Sequence, residues 1–210
     1  MNPPTKTVSS DGSGAGGASV AQEGIEYGKE GKVWLPEEYP HHFSARRSEA
    51  DEVTALATAV CAKGWSLSVI EPRAGVLGSN RGLDLQAHAT FDDSAGVQGV
   101  LREALLLMQT RYGQLLSGSV DQFTVFPPHI VLVDGLDEFF EELNTRKNPA
   151  YSCAEARQVR RDWDYIARKG GALRGSVHIL ATGCSKNLLS STVYSDFDRE
   201  EWFWMSIDGL

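Results

Sequence analysis

Large apolar side chains are nearly absent from the first two dozen residues and then recur in two patterns, short continuous runs and helical spacing. The helical pattern is clearest from Ser94 to Leu116, where Val97, Val100, Leu101, Ala104, Leu105, Met108, Tyr112 and Leu115 recur three or four residues apart. One face of that helix is predicted to be core. The runs "HIVLVDG" and "SVHILAT" are apolar without alternation, the pattern of strands covered on both faces of a parallel sheet. "WSLSVIEP" predicts a further strand that stops at Pro72, and "EWFWMSI" predicts the last one. "EEYPHHFSA" predicts a short strand, followed by a helix over "SEADEVTALATAVCAKG" that Gly64 ends. "LDEFFEELNTR" and Cys153–Lys169 predict two more helices, the second polar over most of its surface and broken by Gly170 and Gly171. "RAGVLGSNRGLDLQAHATFDD" reads as a loop-rich connection. Strands alternating with helices predict a three-layer α/β fold around a mainly parallel sheet.

Composition divides the chain in two. Residues 1–24 are Pro, Ser, Thr, Gly and Ala in the main, too poor in apolar surface to offset the entropy of ordering, so a disordered tail is expected there and a folded domain over residues 25–210. Within the tail, GSGAGGAS (Gly12 to Ser19) fits the phosphate-loop pattern G-x-x-x-x-G-K-[ST] except that Ala18 replaces the lysine. A phosphate loop follows a buried strand and opens a helix, and this stretch does neither; it is a linker that matches by composition. The 210 residues are 41% hydrophobic and 23% charged, ordinary for a globular protein. No apolar run approaches the roughly 20 residues of a membrane span, and the polar N-terminus lacks a signal-peptide pattern, so a cytoplasmic location is expected. With 20 Lys+Arg against 28 Asp+Glu the formal charge is −8, which disfavours DNA as a ligand unless basic residues cluster locally. Cys61, Cys153 and Cys184 are far apart and form no metal-binding pair, so they are expected to be reduced, buried thiols.

Chemistry enters at Asp134, a carboxylate at the end of a buried strand. Alone, such a residue reads more often as the N-cap of the helix that follows than as a carboxylate that holds Mg²⁺ through water. Four blocks bear on the choice: "VIEPRAGVLG" (69–78), "LREALLLMQTRYGQLLS" (101–117), "HIVLVDGLDEF" (129–139) and "IARKGGALRGSVHILATGCSKNLL" (166–189). In order and approximate spacing they resemble the FtsK/SpoIIIE (HerA/FtsK-like) family of P-loop DNA translocase ATPases, over the chain from about Tyr39 onward. The matching residues are Ile70-Glu71-Pro72-Arg73 for a strand end, Met108, Arg111 and Tyr112 for a helix signature, Val133-Asp134 for Walker B, and Gly175, Val177-His178 and Ala181-Thr182 for the sensor strand. The resemblance implies a RecA-like P-loop NTPase fold, ATP and Mg²⁺ as cofactors, and Asp134, Thr182 and Gly183 as the remnant of the nucleotide and Mg²⁺ site.

The chain departs from that family at three catalytic positions. No glycine lies between Tyr39 and Gly64, and "RRSEADEV" stands where the Walker A loop belongs, with Glu52 near the lysine position. Backbone N–H groups wrap phosphates only where glycines let them, and a cation must reach the terminal phosphate. Ser48-Glu49-Ala50-Asp51 instead fits a capping box, and Glu49, Asp51 and Glu52 would repel a triphosphate, which leaves Arg46 and Arg47 as phosphate ligands or as solvated charge. Gly135 replaces the carboxylate that orients the attacking water; Asp137 and Glu138 follow, displaced along a starting helix whose dipole they complement. Gly183 replaces the sensor glutamine.

These losses imply a pseudo-ATPase that needs no cofactor and serves as a structural or regulatory partner, in a homo- or hetero-oligomer with FtsK-like subunits. Two alternatives stand beside it. One is an active DNA-translocating or DNA-transfer subunit completed by a partner chain, with Arg168 or Arg174 acting in trans on a neighbour's site; both also read as surface charge. The other is a nucleic-acid-binding module without hydrolysis, built on Arg46 and Arg47. His41 and His42 point to opposite faces of a strand and make no shared metal site, and Trp202 and Trp204 read as core or interface anchors.

Overall fold

The structure, a computed structural model, describes residues 24–27, 32–36, 41–44, 50–144, 149–171, 176–184 and 205–208. Residues 1–23 of the proposed tail, the Walker A region at Arg46, Arg47 and Ser48, Arg174, and Trp202 and Trp204 lie outside them. Among the described residues eight strands and four helices follow in the order β1 (Ile25–Tyr27), β2 (Lys32–Trp34), β3 (His41–Ser44), α1 (Ala50–Ala62), β4 (Ser66–Glu71), β5 (Leu85–Thr90), α2 (Ser94–Ser117), β6 (His129–Val133), α3 (Leu136–Glu142), α4 (Cys153–Lys169), β7 (Val177–Ala181) and β8 (Met205–Asp208). β1 and β2 form an antiparallel pair of their own. The other six make one sheet in the order β5-β4-β6-β7-β3-β8, and every pairing in it is parallel.

Central strands without polar alternation are apolar because both faces are covered. Val131, Val133, Ile179 and Ala181 face a core shared with α2, α3 and α4, while Ile130, Leu132 and Leu180 face a second core with α1. Trp34 of β2 closes that second side, edge-on to His178 at 6.1 Å between ring centroids. The result is a three-layer α/β/α sandwich.

The helices start and stop where side chains or glycines satisfy their ends. Asp93 caps α2 by accepting the Gly96 N–H, and Gly118 ends it in the left-handed region. Ser152 and Glu155 form a reciprocal capping box at α4. Gly170, expected as a helix breaker, has right-handed geometry; it is glycine because an added Cβ would meet the Val177 carbonyl oxygen, so tight is the turn into β7.

Two expectations need correction. β5 lies inside the stretch read as a loop: Leu85, Ala87 and Ala89 alternate with Gln86, His88 and Thr90, the period of an edge strand, which is covered on one face only. The thiols are also not uniformly buried. Cys184 is buried, but Cys61 is partly exposed and Cys153, at the first position of α4, is exposed.

Candidate functional site

The site the sequence points to is the edge of the sheet where the parallel strands end, the usual place for ligands in open α/β folds. β6 and β7 are neighbours in register, with Val133 opposite Ala181, so Asp134 and Thr182 emerge side by side although they are 48 residues apart. The Thr182 hydroxyl donates to Asp134 Oδ1 at 2.8 Å and accepts the Gly135 N–H at 3.0 Å. The two backbone N–H groups that follow are also taken, Leu136 N–H by the Thr182 carbonyl at 2.7 Å and Asp137 N–H by that of Gly183 at 3.1 Å. Three successive donors at the start of α3 are thus closed by the end of β7, leaving them turned away from any anion.

Gly135 is the N-cap of α3 in the left-handed region (φ 91°), with no side-chain cap. Asp134 is therefore not that cap; its carboxylate is held by Thr182 instead. Asp137 and Glu138 sit half-buried in the first turn of α3, as the helix dipole favours. Gly183 also has positive φ (63°), which a glutamine would adopt only with strain. Among the described residues no three His, Cys, Asp or Glu side chains converge to hold a metal.

Ser44 ends β3 and Ala50 begins α1, so five residues, 45–49, connect them. Asp51 and Glu52 occupy the first turn of α1, where an NTPase of this fold places its phosphate-binding lysine. The residues present do not fit a triphosphate: the sequence lacks glycines and lysine there, the first turn is acidic, and Gly135 has no side chain to activate water.

Beside Asp134, whose N–H donates to the Ile70 carbonyl, Glu71 ends β4 as a buried carboxylate. It accepts Leu77 N–H at 3.0 Å, Gly78 N–H at 2.8 Å and His88 Nε2 at 2.8 Å, folding the following loop back on itself. The sequence did not single out this contact; an acidic strand end followed by glycines was its only signal. Gly75 and Gly78 allow it, since an added Cβ would run into Glu71 and His88 respectively.

Arg168 lies elsewhere. The Gly170 carbonyl that ends α4 accepts the N–H of Val177, the first residue of β7, whereas Thr182 follows its last, about 16 Å along the strand. Arg168 Nε donates to Asp164 at 3.1 Å within the same helix, at the far edge of the sheet from Asp134. The helix signature is also distant from the site: Met108 is core, Arg111 donates to the Pro127 and Ser176 carbonyls, and Tyr112 donates to the Lys169 carbonyl. Those residues brace the sheet's opposite edge.

The sheet inserts β7 between β3 and β6, so the sensor strand of the resemblance separates its Walker A and Walker B strands. The cytoplasmic domain of EssC has a similar structure, with a TM-score of 0.52 and 14% identity over 76% of this chain. This chain has the RecA-like P-loop NTPase fold. It spans 30% of the EssC chain, so it corresponds to one part of that protein. No family model matches the sequence, and no curated protein does. Among the described residues no helix is long and apolar enough to cross a membrane.

The Thr182 hydroxyl serves two partners at once, the Asp134 carboxylate and the Gly135 N–H. Thr182→Val is expected to destabilise the fold by about 2 kcal/mol in urea unfolding, because it strips a buried N–H and a carboxylate of one partner. Thr182→Ser should lose less than half as much. Equal losses for the two variants would show that the methyl contributes as much as the hydroxyl, and no loss for valine would remove the hydroxyl from the account of this edge.

Proposed function

We propose that this chain is a degenerate member of the FtsK/SpoIIIE-like ATPases that neither binds nor hydrolyses ATP and acts as a structural or regulatory partner of FtsK-like subunits in the cytoplasm. The observation that carries this reading is the closed strand edge: Thr182 occupies the Asp134 carboxylate, the first N–H groups of α3 donate to Thr182 and Gly183, and the water-activating position is Gly135. The acidic first turn of α1 supports it by opposing a triphosphate. Fold and activity are separable, so a domain that lost its site can persist as a scaffold for association.

Titration calorimetry of the full chain with MgATP tests the reading. No saturable heat is expected up to millimolar nucleotide, an affinity weaker than about −4 kcal/mol. Micromolar binding accompanied by turnover would defeat it. A second reading, trans completion of a neighbour's site, draws support from Arg168, which stands at the opposite sheet edge from this chain's own site and therefore faces away from it. ATPase stimulation of an active FtsK-like subunit that vanishes with Arg168→Ala would favour this alternative.

A further inference from the structure

The outer face of α4 is basic in an acidic protein. Arg157, Arg161, Tyr165 and Arg168 follow one another at intervals of four, four and three residues, which puts all four on one side of the helix, and all are exposed. They span about 16 Å along the axis. Arg160, one residue off the stripe, turns inward over the Phe140 ring and donates to the Phe140 carbonyl, so arginines of this helix that serve the fold leave the stripe.

Tyr165 is 49% exposed. Arg102 acts on Asp162, and Tyr112 donates to the Lys169 carbonyl, which aligns the two helices and sets Leu106, 54% exposed, beside the segment that holds Tyr165. An aromatic and an aliphatic side chain thus sit among arginines. Protein interfaces combine these types: an apolar centre with Tyr and Arg anchors and a charged rim.

We propose that this face of α4, with Leu106 of α2, docks an acidic amphipathic helix of a partner protein. Guanidinium forks pair with carboxylates in two-point geometry, and arginines four residues apart match carboxylates at the same spacing on a helix laid alongside. The partner's apolar residues cover Tyr165 and Leu106. A nucleic acid fits less well, because its regular phosphates would also meet Asp164 within the stripe, Glu103 on α2 and the net charge of −8. A protein helix can set its carboxylates opposite the arginines and leave other positions neutral. The surface is independent of whether the Asp134 edge binds nucleotide.

The probe is a fluorescein-labelled amphipathic peptide of about 20 residues, with glutamates three and four residues apart on one face and leucines beside them, titrated with the full chain and followed by anisotropy. Saturable binding is expected, weakened about ten-fold or more by Arg157→Glu with Arg161→Glu, and about five-fold by Tyr165→Ala. Circular dichroism should show those exposed-site variants fully folded. A peptide with lysines in place of the glutamates should recover binding to the charge-reversed protein. Absence of saturable binding at millimolar protein, indifference to the charge reversal, or tighter binding of a labelled oligothymidylate at the same residues would each overturn the proposal.

Discussion

Arg111→Ala is expected to lower stability by about 3 to 5 kcal/mol in urea unfolding, with a fall of about 10 °C in melting temperature. The guanidinium is buried at 7% exposure, lies over the Phe126 ring, and donates to the Ser176 carbonyl at 2.9 Å and the Pro127 carbonyl at 2.8 Å. Those carbonyls belong to the segments that lead into β7 and β6, so one side chain from α2 ties two adjacent strands at their starts. Ser176 also accepts the His129 N–H and sits at φ 50°, in the left-handed region that serine occupies only when its surroundings hold it there. Burial pulls the Arg111 pKa down to about 10, which leaves the group charged at neutral pH and its hydrogen bonds charge-assisted. Arg111→Lys should recover only part of the loss, since an ammonium does not reproduce the two-pronged geometry. A change below about 1 kcal/mol for alanine would remove the clamp from the account of this fold.

Acidification is expected to weaken the fold through His129, whose pKa burial first, and then the charges of Arg111 and His178, pull down from the usual 6.5 to about 4. The imidazole faces Ser66 Oγ at 2.8 Å and Ser68 Oγ at 3.4 Å, two hydroxyls that serve its donor and its acceptor when it is neutral. The unfolded chain binds a proton near pH 6.5 and the folded chain only near 4, so the contribution is complete above pH 6.5 and is lost as pH falls to 4. The full loss is about 3 kcal/mol, from the shift at 1.36 kcal/mol per unit. Urea unfolding at a series of pH values should show it as the difference between the wild-type slope and that of His129→Gln, which is flatter over that window. Parallel slopes for the two proteins would assign the acid sensitivity to other groups.

Most elements are legible in the sequence because their causes are local. Helical spacing from Val97 to Met108 and the continuous run His129–Val133 each announce an element within one window of residues, and α2 and β6 lie where those patterns place them. β5 escaped because its inward side chains are the small Ala87 and Ala89 and it enters from a glycine-rich loop, so its alternation carries little apolar contrast. Asp134 and Thr182 were each identifiable as site residues, but their bond depends on β6 and β7 being neighbours in register. The helix signature at Met108, Arg111 and Tyr112 was legible as a mark of resemblance, while its work, bracing the far edge of the sheet, was not.

The sequence by itself determined the alternation of strands and helices, the lack of glycine between Tyr39 and Gly64, and the glycines that follow Asp134 and Thr182 at positions 135 and 183. Each of those is a property of one position or one short window. Tertiary structure alone decided that Thr182 closes the Asp134 edge, that Glu71 folds its loop through His88, and that the arginines of α4 line up outside the core. A hydrogen bond between residues 48 positions apart, or a stripe that counts as a surface only once its opposite side is buried, exists when strand order and helix packing bring the groups together.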